Sequence, residues 1–161
     1  MAKTESSLVG NFRYHLVFSE NRLTSDGTKP GPEKAVAGGS FAECSGLEAT
    51  MEPKVIKEGG RNYGTHQRVG SVTFATVILR RGMTDNTDLW NWFRTVTLTG
   101  AYTHRMDVKI IHLDFDGTTV IRTWLLDRAM PVKFKSSDLN GKSGEIAIEE
   151  LHLVHEGLSL K

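Results

Sequence analysis

Cysteine is almost missing from this sequence: Cys44 stands alone. An intrachain disulfide framework and a thiolate metal cluster are both excluded by that count. Cys44 itself reads as a small strand residue, because a free cysteine usually behaves as a buried hydrophobe. An excess of one charge is missing as well, with 20 basic residues against 19 acidic ones and a net charge of +1. The basic surplus of a nucleic-acid binder is therefore absent, and a charge near zero does little to keep copies of the chain apart. No apolar run approaches the ~18–20 residues of a membrane span. The N-terminal "MAKTESSLVG" lacks an apolar core of signal-peptide length. The expectation is a chain made and folded in the cytoplasm, with residues 1–10 as a flexible arm.

Familiar catalytic spacings are lacking too. Of the six histidines, His152 and His155 lie three apart. That spacing sends them to opposite faces of a strand, and no cysteine or carboxylate completes a zinc pattern. "LDFDG" begins like a calcium loop but lacks the rest of it, and a hairpin turn explains it better. "SGLE" lacks the strand-turn-helix context of a nucleophilic serine, and "GGRNYG" has no following Lys-Ser/Thr. Glu149 and Glu150 are adjacent, so on a strand they point apart and cannot work as an acid/base pair. The sequence thus offers no catalytic, cofactor-binding or metal-binding residues.

What is present is a chain of 161 residues, 39% apolar and 24% charged, enough for one domain with a real core. Strand patterns dominate. "FRYHLVF" alternates Phe12, Tyr14, Leu16 and Phe18 on one face. Ser19–Ser40 carries Asp-Gly, Lys-Pro, Gly-Pro and Gly-Gly and reads as a long loop at about 19–40. "SFAECSGLEATMEPKVIKEGG" reads as strand, break at Gly46, and strand, with Pro53 marking an edge or bulge. "GGRNYGTHQRVG" is a loop or hairpin tip. Val72–Leu79 has two largely apolar faces and should be covered on both. Asp116-Gly117 predicts a hairpin turn, and "RAMPVKFKSS" a short strand bent at Pro131. In "EIAIEELHLVHEGLSL" the apolar period breaks between Ile148 and Leu151, and a bulge at Glu149–Glu150 would restore it.

"RRGMTDNTDLWNWF" is the one convincing helix start. Thr84 or Asp85 suits the N-cap, and Asp85 and Asp88 sit near the positive end of the dipole. Leu89, Trp92, Phe93 and Val96 form one apolar stripe, widened by Trp90, and Gly100 ends it. The two readings are a core-packing helix at about 85–98 and a ligand pocket around Trp90 and Trp92. The helical spacing favours packing. The fold expected is mainly β: a small antiparallel β-barrel, sandwich-like, with one flanking α-helix.

Three motifs then occur in order: "FAECSGLEA", "VILRRGMTDNTDLWNWF" and "DLNGKSGEIAIEELHLVHEGLSL", the last preceded by "AMPVKFKSSDLN". Together they resemble the tail tube proteins of contractile phages and the inner tube proteins of related contractile injection systems. The resemblance covers about Phe12 to Leu160, with a longer Ser19–Ala37 segment than the pattern suggests. It implies homohexameric rings stacked as a hollow tube inside a contractile sheath, with sheath and baseplate or tube-initiator proteins as partners. It implies DNA or protein cargo in the lumen, assembly in a bacterial cytoplasm, no cofactor and no enzymatic activity.

Within that frame the hairpin Leu47–Val69 is the expected ring-stacking element. It carries Glu48, Glu52, Lys54, Lys57, Glu58, Arg61 and Arg68, and interspersed charges can fix register between rings. The alternative is a monomeric β-barrel binding module using the Trp90/Trp92 region and the 19–40 loop.

Overall fold

The computed structural model describes residues 13–24, 27–34, 41–100, 104–142 and 144–161; the N-terminal arm expected at 1–10 lies outside them. The main sheet is built from β1 (Tyr14–Thr24), β2 (Gly27–Lys34), β3 (Phe41–Ser45), β8 (Val77–Gly82), β9 (Met106–Leu113), β10 (Val120–Lys135), β11 (Ile148–Val154) and β12 (Gly157–Leu160). Between β3 and β8 run four short strands, β4 (Ala49–Met51), β5 (Lys54–Ile56), β6 (His66–Arg68) and β7 (Val72–Phe74). The helix α1 spans Asp88–Thr99. The strand order is β2-β1-β9-β10-β11-β8-β3, with β12 also on β10, and every pairing is antiparallel. The expected antiparallel, mainly β architecture is what the chain forms, with one α-helix among the described residues.

Strand β10 is the fold's spine. Its first half pairs with β9 and β12, and its second half pairs with β11. Between them the register slips at Leu126–Ala129, where Arg128 takes a left-handed φ of 49°. An inserted bulge of this kind bends a strand and increases its twist, so one sheet becomes two facing halves. A polar cluster holds the bend. Asp107 accepts both from the backbone N–H of Arg128 at 2.9 Å and from the Asn21 amide at 2.8 Å. The guanidinium groups of Arg105 and Arg128 donate to the two oxygens of Glu156, at 2.7 and 2.9 Å.

The halves enclose the core. One contributes Phe18, Val108, Ile110 and Leu126, the other Val77, Leu79, Leu151 and Leu153, and α1 adds Leu89, Trp92 and Val96. Phe18 sits at the junction, edge-on to Trp92 at 5.9 Å and 6.4 Å from Phe41. Among the described residues the hydrogen-bonded path runs from β2 to β3, and its two halves pack face to face around the core, as expected of a sandwich-like barrel.

Several local expectations are corrected. The stretch read as a loop at 19–40 is largely a hairpin, because β1 continues to Thr24 and β2 returns beside it. Pro30 and Pro32 are tolerated there because β2 is an edge strand, where a missing N–H need not break a second ladder. The Val72–Leu79 strand is two strands broken at Ala75–Thr76, and Val72 is exposed. The β10 segment through Pro131 is one strand of 16 residues. The bulge expected at Glu149–Glu150 is absent. Strand β11 pairs residue for residue with β8, and Glu149 occupies the inward position because Arg81, equally buried, binds it there.

The helix begins later than Thr84 or Asp85, with Thr87 at the N-cap. The intervening residues are tied down otherwise. Asn86 accepts from the Asp88 N–H at 2.8 Å, and the Arg81 guanidinium donates to the Asn86 carbonyl at 3.1 Å. Gly100 closes the helix in the left-handed conformation, its N–H reaching the Val96 carbonyl.

Candidate functional site

The segment between β3 and β8 leaves the body as a long two-stranded arm. Strand β4 pairs with β7 near the body and β5 with β6 further out. The neck requires glycine. Gly46 has φ +86°, and a Cβ there would sit 2.1 Å from the Thr76 carbonyl oxygen. Midway, Gly70 lets the two strands close around the Pro53 interruption, since a Cβ there would lie 1.7 Å from the Glu52 carbonyl oxygen. The Glu52 N–H donates to the Ser71 carbonyl across that gap.

Every residue from Glu48 to Val69 is exposed. The seven charged residues expected to form a stacking surface, Glu48, Glu52, Lys54, Lys57, Glu58, Arg61 and Arg68, all lie on this arm. Glu58 and Arg61 meet near the tip, where His66 contacts both, at 3.0 Å and 2.6 Å. The other five are spread along the ribbon. Sequence reasoning missed the apolar residues beside them. Met51, Val55, Ile56, Tyr63, Val69 and Val72 are all solvent-exposed, Tyr63 at 93% and Val69 at 80%. A lone two-stranded ribbon is at best marginally stable in water, and contiguous exposed apolar side chains mark an interaction surface. The available signal was the mixing of Val55-Ile56 and Val69 with charges.

The opposite end of the body carries a second feature. Strand β8 leaves the neck at Val77 and runs to Gly82, where it pairs with Ile148 at the start of β11. There the 136–147 connection and β11 enclose a polar cleft of about 490 Å³, lined by Lys135, Asp138, Asn140, Glu145, Ile148 and Glu150, among others. Beside it Leu139 and Ile146 are 90% and 82% exposed. Arg80 bridges Glu43 and Glu150, both at 2.8 Å, and His152 also binds Glu150. These partners, His152 foremost and then Arg80, pull the Glu150 carboxyl down to about 2.

The remaining candidates separate. Trp92 is buried and donates its indole N–H to the His104 carbonyl at 3.0 Å, whereas Trp90 is half exposed against Phe93 and Phe134. The two tryptophans therefore have different surroundings, one in the core and one at the surface. Leu89 and Val96 are buried with Trp92, and Phe93 is half-buried. Cys44 and Tyr14 border a cleft of about 420 Å³ between β3 and the β1–β9 pair. Burial, and secondarily Glu43, pushes the Cys44 thiol up to about 12, which disfavours its thiolate form. His155 turns Nδ1 to the Gly157 carbonyl and stacks on Phe74, away from His152. Among the described residues no three His, Cys, Asp or Glu side chains gather as a metal site, and no helix is long and apolar enough to cross a membrane.

The family model of the T4-like virus tail tube protein gp19 matches residues 11–159. This chain belongs to that tail tube family. The family's role is structural, in the tube of a phage tail. No curated protein matches the sequence. In fold, this tail tube chain is similar to a chain in the cryo-EM structure of the anti-feeding prophage baseplate. The TM-score is 0.76 at 24% identity, over 98% of this chain and 97% of that one. It is also similar to a chain in the cryo-EM structure of the sheath-tube complex of PVC, an extracellular contractile injection system, in the extended state. That TM-score is 0.72 at 21% identity, over 96% and 91% of the two chains. A chain of the anti-feeding prophage cap matches with a TM-score of 0.74 at 18% identity, over 100% and 99%. These likenesses extend the tail tube fold across nearly the whole chain.

Proposed function

We propose that this chain acts as one tube-building domain: six copies close into a ring, and the rings stack through the projecting arm. The observation that carries this reading is the arm itself, a ribbon exposed from Glu48 to Val69 with apolar and charged side chains that no described residue covers. Heterologous contacts that close under rotation give rings, and unlike top and bottom faces then propagate a filament. The charged arm residues Glu48, Glu52, Lys54, Lys57, Glu58, Arg61 and Arg68 set the register between rings, as interspersed charges do at interfaces.

The tube assembles in the cytoplasm of the producing cell and is wrapped by a sheath protein above a baseplate. It conducts DNA or protein cargo without sequence-specific binding. The chain acts as a structural protein and not as an enzyme, a reading supported by its tail tube family. Light-scattering mass measurement tests the ring. Six copies of a 17.9 kDa chain give a species of about 107 kDa. A single 17.9 kDa species at all concentrations would instead favour a monomeric binding module.

A further inference from the structure

We infer that the distal arm of one copy seats in the acidic cleft beside the 136–147 connection of a second copy in the next ring. This inference rests on the tube reading and specifies its stacking contact. Position comes first. The arm leaves the body where Ser45 pairs with Ile78, while the cleft lies where Gly82 pairs with Ile148. Strand β8 separates the two by about 13 Å at the usual rise per residue. One copy therefore carries an insertion element at one end and a receptor at the other, the head-to-tail arrangement that propagates a stack.

Charge comes second. From Lys54 to Arg68 the arm bears Lys54, Lys57, Arg61 and Arg68 against the single acid Glu58. The cleft offers Asp138, Glu145 and Glu150 against Lys135. Glu150 is already engaged by Arg80 and His152, which leaves Asp138 and Glu145 as the groups an incoming cation meets. Apolar surface comes third. Val55, Ile56 and Tyr63 on the arm match Leu139, Ile146 and Ile148 beside the cleft, all exposed. The cleft at Cys44 does not serve, because Leu47 in its lining places it at the arm's own end.

The test is a charge exchange in the full chain, read by negative-stain imaging, with mass measurement for rings and thermal melts for folding. Lys57→Glu with Arg61→Glu is expected to leave folded rings and reduce tubes by roughly tenfold or more, as loss of close interfacial charge pairs does. Asp138→Lys with Glu145→Lys is expected to do the same, and the four substitutions together to restore tubes. Ile146→Asp, at an exposed position outside any strand, is expected to give rings without tubes. Full-length tubes from the Asp138/Glu145 variant, or no recovery in the combined variant while it still forms folded rings, would overturn the arm-to-cleft contact and leave the tube intact. Wild-type protein that never forms tubes would remove the tube reading itself, and this contact with it.

Discussion

Replacing Trp92 with alanine tests whether α1 braces the body. The indole is 5% exposed, meets Phe18 edge-on at 5.9 Å, and spends its N–H on the His104 carbonyl at 3.0 Å. Truncating a buried tryptophan removes its transfer free energy and leaves a cavity, together about 3–5 kcal/mol. Phe18, itself 1% exposed, keeps the surrounding sheet from collapsing into the void, which argues for the upper half of that range. In a domain of this size the loss corresponds to a melting point roughly 6–20 °C lower. The measurement is urea unfolding followed by far-ultraviolet circular dichroism at fixed protein concentration, because assembly makes apparent stability concentration-dependent. Trp90→Ala is the internal control. Trp90 is 45% exposed and is expected to cost only about 1–1.5 kcal/mol. A Trp92→Ala loss below about 1 kcal/mol, or one no larger than that of Trp90→Ala, would refute the packing argument.

The bend in β10 depends on Asp107, which accepts from Asn21 and from the Arg128 N–H. Asp107→Ala should destabilise by about 2–3 kcal/mol in urea unfolding, since charged acceptors are worth that much, and a neutral result would show that the bulge holds itself. Cys44 should resist thiol reagents at pH 8, with a thiolate fraction on the order of a thousandfold below that of an ordinary cysteine. Fast single-site labelling of the folded protein would contradict its burial. Glu150 has a folded-state carboxyl lowered from 4.5 to about 2, first by His152 and then by Arg80. Its stabilising contribution is complete above about 4.5 and is lost as pH falls through about 2. Melts between those values should slope less in Glu150→Gln than in wild type; identical slopes would remove Glu150 from the acid response.

The helix was legible because Leu89, Trp92 and Val96 repeat at the helical period and Gly100 stops them, and those features are local. The first turn was misplaced because a third partner intervenes. The Arg81 guanidinium holds the Asn86 carbonyl, a tertiary contact that no capping signature encodes. The same arginine hid the regularity of β11. By hydrophobicity Glu149 looks like an outward residue, and only the buried Arg81 opposite it makes the inward row Glu149, Leu151 and Leu153 continuous. The 19–40 segment misled because its Pro and Gly residues match loop punctuation, while an edge strand tolerates them. The arm's charges were visible in sequence. Its detachment from the body was not, because it follows from Gly46 and the break at Ala75–Thr76, which divide a run of apolar residues between two sheets.

The arm, exposed in one chain from Glu48 to Val69, is proposed to be buried between chains. Cryo-electron microscopy of the purified, assembled protein tests this most directly. The expected result is a hollow tube with six copies per ring, in which each arm lies buried against a copy in the adjacent ring. A tube whose arms stand free in solvent, or a preparation that remains a single 17.9 kDa species at every concentration, would contradict it.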